Sequence, residues 1–133
     1  MKFNVGNCGS FTKTITEHDV YTFAGITGDF NPAHVNEVYA EHTQFKKRIA
    51  HGILSAGLIS TVLGMYMPGP GTIYLEQELH FMAPVYYNDT ITAKVEIIEI
   101  IKDKIGKLKT TCVNQNGQEV INGHATVMLP KED

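Results

Sequence analysis

One apolar segment near the middle of the chain constrains the fold more than any other feature. It runs from Gly52 to Met67, and its apolar residues fall on nearly every face of a helix. Pro68-Gly69-Pro70-Gly71 follows directly and ends any helix at that point. Because a helix that is apolar all round has to be covered on all sides, we expect it at the centre of the molecule.

The sequence after this segment changes to a period of two, which is typical of strands. Apolar and polar residues alternate from Thr72 to Met82, and further strand-like runs follow at residues 90–97, 108–113 and 120–129. Asn114-Gln115-Asn116-Gly117 predicts a hairpin between the last two runs, and an early strand is expected at residues 10–15. Together these elements predict an α+β fold, in which an antiparallel sheet of about five strands wraps around the buried central helix.

A first helix is expected before this core, from Thr16 to Thr27. Thr16 can cap it, Asp19 stands at the capping-box position, and Gly28 is a natural C-terminal stop. Phe30-Asn31-Pro32 cannot continue the helix, because a proline disfavours helical geometry at the residue before it. Asp29 is therefore expected to emerge at the helix end, followed by a turn.

Length, charge and cysteine content favour a single globular domain over a nucleic-acid-binding or disulfide-rich protein. A length of 133 residues with 43% hydrophobic residues suits a single domain over residues 1–133. The net charge of −3 and the scattered basic residues argue against nucleic-acid binding. The basic run Lys46-Lys47-Arg48 is either a solvated loop or a contact for a ligand phosphate. Cys8 and Cys112 predict neither a disulfide framework nor a metal site.

The sequence also bears on the location of the protein. The N-terminus lacks the apolar region of a signal peptide. The apolar segment from Ile49 to Met67 contains glycines and polar residues, and a buried helix explains it better than a membrane span. We therefore expect a cytoplasmic protein with no membrane partner.

Two short sequences bring together polar residues suited to chemistry. Thr27-Gly28-Asp29-Phe30-Asn31-Pro32-Ala33-His34 places the Asp29 carboxylate five residues before the His34 imidazole, and Arg48-Ile49-Ala50-His51-Gly52 opens the apolar helix. The N–H of Gly52 would lie at the helix N-terminus, where unpaired N–H groups and the helix dipole favour negative charge. An acid–base pair beside such a terminus suits reactions of carbonyl compounds.

Other kinds of site fit these residues less well. A metal site built from Asp29, His34 and His51 is disfavoured, because the Asp-to-His spacing crosses a proline turn and no second carboxylate is nearby. A serine nucleophile is disfavoured as well, because Ser55 and Ser60 lie within an apolar helix without a strand–turn–helix elbow.

The sequence resembles the MaoC-like dehydratase family, which includes the R-specific enoyl-CoA hydratases and has the hotdog fold. The resemblance spans about residues 10–130, and it rests on residues 27–34 with Ala40, on His51-Gly52-Ile53-Leu54, and on residues 81–90. Its most specific part is the Asp-x-Asn-Pro-x-His motif of residues 29–34. Ala33 stands where a larger aliphatic residue is usual, and Asn88 stands where glycine is usual.

The resemblance implies a chemical reaction and roles for three residues. The reaction is the reversible syn addition of water to a trans-2-enoyl thioester, which gives the R-3-hydroxyacyl product without metal, nucleotide or flavin. Asp29 would be the base that activates water, and His34 would orient the water and deliver a proton. The N–H of Gly52 would stabilise the charge that builds on the thioester oxygen.

Three further residues are expected to bind substrate or support the site. Asn31 holds the turn and can bond the catalytic groups. Ser60 corresponds to a serine near the active site of related hydratases, although a serine in a buried helix often bonds the carbonyl one turn back instead. His51 has no clear chemical role and is also interpreted as a helix-start residue that bonds the backbone.

The resemblance leaves the acyl carrier and the metabolic role open. With coenzyme A the protein would be an enoyl-CoA hydratase of fatty-acid or polyhydroxyalkanoate metabolism. With acyl carrier protein it would be a (3R)-hydroxyacyl-[acyl-carrier-protein] dehydratase of fatty-acid synthesis. A non-catalytic acyl-CoA-binding module is another alternative, whereas a thioesterase is disfavoured because residues 53–67 contain no Asp or Glu. Single-hotdog chains of this length usually pair through their sheet edges, so a homodimer is expected.

Overall fold

The computed structural model describes residues 2–131 and confirms the α+β class. One antiparallel sheet with the order β1-β3-β4-β5-β2 packs against a central helix, α4. In chain order, the elements are β1 Cys8–Thr14, α1 Glu17–Thr27, α2 Pro32–Val35, α3 Glu37–Glu41, α4 Gly52–Thr61, β2 Ile73–Phe81, β3 Thr90–Ile101, β4 Ile105–Val113 and β5 Glu119–Met128.

The ends of α1 form as the sequence predicts. The Thr16 side chain accepts a hydrogen bond from the Asp19 N–H, and the Asp19 carboxylate accepts one from the Thr16 N–H. At the other end Gly28 adopts a left-handed φ of +84° and its N–H donates to the Ala24 carbonyl. These caps stabilise both helix ends and fix the point at which Asp29 leaves α1.

The central helix is buried on the side that faces the sheet. Ile59 of α4 is fully buried in the hydrophobic core, as are Val62 and Leu63, which directly follow α4. The expectation that this helix is covered on all sides is wrong for the single chain, because Ile53 is 52% and Met65 is 65% exposed. The reason is geometric: one sheet covers one side of a helix, and the opposite side needs a second layer. The helix also continues past α4 as a π-helical stretch, Val62–Tyr66.

The turn before β3 accommodates the asparagine that stands at a usual glycine position. Asn88 has a left-handed φ of +72°, which asparagine tolerates better than most residues. Its N–H donates to the Ile15 carbonyl, and the Ile15 N–H donates to the Asp89 carbonyl. This exchange joins the end of β1 to the start of β3, so the substitution leaves the turn intact.

Within residues 2–131, no helix combines the length and the apolar character needed to cross a membrane.

Candidate active site

Asp29, the first candidate residue of the site, lies in the loop that follows α1. The Asp29 side chain is 50% exposed, and its Oδ1 accepts a hydrogen bond of 3.2 Å from the Asn31 N–H. Asn31 in turn caps the next helix, because its side-chain oxygen accepts from the Ala33 N–H. Asn31 thus takes part in two local hydrogen bonds of this segment, and its role as a supporting residue of the site stays a prediction.

His34, the second candidate residue of the site, lies on a short helix where the sequence predicted a turn. Pro32 is the first residue of α2, a position where its missing N–H costs nothing and its fixed φ suits a helix. Gly28 has already ended α1 four residues earlier, and the proline starts the single turn that carries His34. The prediction of a plain turn is wrong, because it considered only the helix-breaking effect of proline.

Hydrogen bonds orient the His34 ring and determine which nitrogen carries the proton. Nδ1 lies 2.8 Å from the Ile49 carbonyl oxygen. Since a carbonyl only accepts, Nδ1 carries the hydrogen in the neutral ring and Nε2 keeps the lone pair. The hydroxyl of Tyr87 also donates to the backbone carbonyl of His34. His34 thus presents a proton-accepting nitrogen from a fixed ring.

His51 joins these two residues at the start of α4. Its Nε2 lies 2.9 Å from the backbone oxygen of Asp29 and 3.9 Å from Asp29 Oδ2. Its ring centre lies 3.9 Å from that of His34, and Phe23 packs on it with ring centres 4.8 Å apart. Asp29, His34 and His51 therefore form one cluster built from three separate segments.

The donor set of this cluster suits proton chemistry better than metal binding. Its possible ligand atoms all lie within 4.8 Å of one another. However, His34 Nδ1 and His51 Nε2 each face a carbonyl oxygen and must carry hydrogen. The nitrogen left on His51 is Nδ1, which is buried without a hydrogen-bond partner in residues 2–131. Its ring would have to give up the Asp29 contact to present Nε2 to a metal.

An apolar cavity of about 520 Å³ adjoins the cluster. His34 and Gly52 are the site residues that line it, and Asp29 is not among them. A side chain at Gly52 would collide with the Phe81 ring, since a Cβ there would lie 2.6 Å from Phe81 Cδ1. Gly52 is the first residue of α4, so its N–H has no partner inside the helix. The other cavity residues are Phe45, Ile49, Ala50, Ile53, Phe81, Met82, Ala83, Pro84, Val85, Val120 and Ile121.

The structure separates Ser60 from these residues. Ser60 is exposed and lines a groove of about 470 Å³ between α4 and β2, which contains neither Asp29 nor His34. Ile53 lines both the groove and the cavity and so lies between the two. The expected role of Ser60 near substrate remains a prediction.

Sequence reasoning missed the residues that support the cluster from a distance. Tyr87 holds the His34 carbonyl from a separation of 53 residues, and the Ile49 carbonyl holds its ring from a separation of 15 residues. The Arg48 guanidinium lies 4.5 Å above the Tyr87 ring and donates to Glu17 and the Tyr21 hydroxyl. No local sequence pattern predicts such contacts, because each joins residues that are far apart in the chain and meet only in the folded structure.

The pKa of His34 is lowered below its usual value of 6.5. Burial is the main cause and His51 adds to it, while the hydrogen bond to Ile49 and the charge of Asp29 act in the opposite direction. His34 is therefore neutral at neutral pH, with Nε2 free to accept a hydrogen bond from water.

We expect the His34 imidazole to titrate with a midpoint below about 6.5, measured by ¹⁵N NMR. The folded state binds this proton less readily than the unfolded state. The contribution of His34 to stability is therefore complete above the unfolded pKa and decreases as the pH falls from there towards the folded pKa. A midpoint at or above the unfolded value would contradict the burial of this ring.

The fold and the site define a class: a hotdog fold with an Asp–His cluster at the N-terminus of its central helix. A family model described as MaoC like domain matches residues 9–120. The chain therefore belongs to the MaoC-like dehydratase family.

Three relatives show where in this family the chain lies. It is 54% identical over 126 residues to an (R)-specific enoyl-CoA hydratase of Rhodospirillum rubrum, covering 94% of this chain and 87% of the relative. It is 45% identical to a 3-hydroxybutyryl-CoA dehydratase of Methylorubrum extorquens, covering 97% and 82%. The solved structure of an (R)-hydratase of Aeromonas caviae involved in PHA biosynthesis matches with a TM-score of 0.93 and 40% identity, covering 96% and 98%.

Proposed function

We propose that this chain catalyses the reversible addition of water to trans-2-enoyl-CoA, giving the (R)-3-hydroxyacyl-CoA. It is a hydro-lyase of the (R)-specific enoyl-CoA hydratase type, as the names of its near relatives indicate. The observation that supports the proposal is the cluster of Asp29 and His34 with His51 at the start of α4, in which His34 lines the apolar cavity. Such a site offers proton transfer and anion stabilisation to an apolar acyl group.

The proposed site residues have two kinds of role in the reaction, which are proton transfer and the stabilisation of negative charge. Asp29 accepts a proton from water while the water oxygen forms its bond to C3 of the enoyl group. The electrons of the double bond move towards the thioester oxygen, where the Gly52 N–H stabilises the negative charge. The proton that Asp29 took from water then adds to C2, which restores the thioester. Nε2 of neutral His34 accepts a hydrogen bond from the attacking water and so fixes its direction.

The test of this function follows the conjugated enoyl absorbance of crotonyl-CoA after addition of purified protein in chelator-treated buffer. We expect the absorbance to fall and (R)-3-hydroxybutyryl-CoA to form. Formation of the S product, or free CoA instead of a hydroxyacyl product, would contradict the proposal. So would a lack of turnover with crotonyl-CoA, longer enoyl-CoAs and enoyl-carrier-protein substrates.

The carrier is proposed to be coenzyme A, with acyl carrier protein as the alternative that the same assay tests. The basic run beside the site is partly engaged, because Arg48 binds Glu17 and packs on Tyr87. Lys46 and Lys47 line a polar cavity of about 380 Å³ together with two glutamates, Glu37 and Glu41. These acidic neighbours weaken the attraction for any anion, a CoA phosphate as well as an acidic carrier protein. The choice of coenzyme A therefore rests on the names of the relatives. The cytoplasmic location stays a prediction that cell fractionation tests.

We also propose that the chain forms a homodimer through strand β2. β2 is an edge of the sheet, and seven of its nine residues are exposed. Several exposed residues on β2, directly after it and on the adjoining side of α4 are large and apolar, which is the character of a surface that another chain covers. These residues are Ile53, Ile73, Leu75, Phe81 and Met82.

The dimer prediction can be tested with one charge at this edge. We expect wild-type protein to sediment at twice the 14.7 kDa chain mass. Leu75 is 50% exposed, so Leu75→Lys should leave the monomer folded while weakening the dimer about tenfold or more, because a lysine would be buried unpaired. Ser10→Lys on the opposite edge strand, β1, is the matched control and should sediment as wild type. A monomeric wild-type chain at micromolar concentration would contradict the dimer.

A further inference from the structure

We propose that His51 is a positioning residue that holds Asp29 and His34 in their working arrangement. This inference rests on the proposed function, and it assigns His51 a specific role in that reaction. The residue makes contact with both members of the pair through different parts of its ring. One contact is a hydrogen bond to the backbone and the other is ring packing, so the two can be removed separately.

The hydrogen bond anchors a loop that has few other attachments. Asp29 follows the end of α1, its side chain is half exposed, and the next residue, Phe30, is exposed as well. The bonds within this loop are local: Phe30 N–H to the Gly28 carbonyl and Asn31 N–H to Asp29 Oδ1. The bond from His51 Nε2 to the Asp29 carbonyl links this loop to α4 across 22 residues. It therefore fixes the position of the Asp29 backbone relative to the start of α4, and with it the position from which the carboxylate extends.

The second contact, between the His51 and His34 rings, restrains His34. Ile49 holds Nδ1 of His34, and the His51 ring covers one of its faces with ring centres 3.9 Å apart. Phe23 of α1 packs on His51 in turn. His34 is thus kept from rotating away from the cavity, and Nε2 stays in place for the water. The titratable groups that face His34 are His51 and Asp29.

Helix capping does not explain this histidine. His51 is the N-cap of α4, yet its side chain makes no capping hydrogen bond. It is only 2% exposed, and Nδ1 is buried without a hydrogen-bond partner in residues 2–131. Burying an unpaired polar atom is costly, so an apolar ring would serve packing better. A histidine at this position is explained by the N–H that it gives to Asp29.

Two variants separate the hydrogen bond from the packing. His51→Phe keeps a buried ring against His34 and Phe23 but cannot donate to the Asp29 carbonyl. His51→Gln keeps an N–H donor and loses the ring. We expect His51→Phe to lower kcat for crotonyl-CoA by about 10²-fold, the usual cost of misplacing a catalytic group by about 1 Å, with KM changed less than about threefold. His51→Gln should recover at least about tenfold of that loss.

The controls distinguish positioning from a role in packing alone. The same two substitutions at His124, an exposed residue of β5, should leave kcat and KM unchanged. Thermal unfolding of each variant reports folding, and a role in packing alone would lower Tm while leaving kcat of the folded protein intact. Wild-type kcat in folded His51→Phe, a loss confined to KM, or a His51→Gln variant no better than His51→Phe would overturn the proposal.

A readout without substrate separates this inference from the proposed function. Amide hydrogen exchange of residues 29–31 should be faster in His51→Phe than in wild type, and close to wild type in His51→Gln. If the wild-type protein failed to hydrate any enoyl thioester, the proposed function would fail while exchange still reported on the anchor. Equal exchange in wild type and His51→Phe would show that His51 does not hold the loop.

Discussion

Asp29→Asn should lower kcat for crotonyl-CoA hydration by about 10²-fold or more, because an amide cannot take the proton that water releases. The fold should not change. The Asp29 side chain is half exposed, and its one side-chain hydrogen bond within residues 2–131, from the Asn31 N–H, can be accepted equally well by an asparagine oxygen. Steady-state kinetics beside circular dichroism and thermal unfolding measure both effects.

A matched variant shows that the effect belongs to the Asp29 carboxylate and not to local charge. Glu41 is an exposed acidic residue at the end of α3, and Glu41→Gln removes the same charge outside the Asp29 cluster. It should retain full kcat. His34→Ala should resemble Asp29→Asn, with a loss of about 10²-fold. Near-full activity in either Asp29→Asn or His34→Ala would remove that residue from the proposed mechanism.

Gly52→Pro should produce the second large loss, because it removes the N–H proposed to stabilise the thioester oxygen. Proline is well tolerated as the first residue of a helix. His51, with φ −61° and ψ 129°, already has the backbone geometry that a following proline requires. The helix should therefore form, and the variant tests the donor directly.

Gly52→Ala is the control for the steric part of that change. Alanine and proline both add a Cβ, which would meet the exposed Phe81 ring and push it aside. Only proline removes the N–H. We expect kcat of Gly52→Pro to lie about 10²–10³-fold below that of Gly52→Ala, which is the usual cost of losing one oxyanion donor. Equal kcat in the two folded variants would show that this N–H does not stabilise the transition state.

The structure also weakens nucleophilic alternatives to acid–base chemistry. Burial raises the pKa of the Cys112 thiol to about 12, so this residue stays protonated at neutral pH. Ser55 is fully buried in α4, and its hydroxyl has no hydrogen-bond partner in residues 2–131 that could activate it. Cys8 is exposed on β1 and is not part of the Asp29 cluster. The Asp29–His34 pair remains the proposed source of the chemistry.

Local physical chemistry allowed several features to be predicted from the sequence. The capping box of Thr16 and Asp19 and the left-handed Gly28 depend on neighbouring residues alone, and they form as expected. The period-two pattern predicted strands β2 to β5, because side-chain alternation is a property of each strand by itself. The Asp-x-Asn-Pro-x-His motif and the adjoining helix start likewise identified the family, which the comparisons confirm.

Tertiary structure determined which of these elements contact each other and which surfaces stay exposed. The sequence contains no signal that His51 donates to the Asp29 carbonyl or that Tyr87 holds the His34 carbonyl, since each bond joins residues far apart in the chain. The exposure of one side of α4 could not be predicted from the sequence either. The composition of a helix indicates how much apolar surface has to be buried, but it does not indicate which part of the structure buries it. The sequence by itself determined the elements and the chemical groups of the site. Only folding determined their distances, because those depend on how segments separated in the chain pack together.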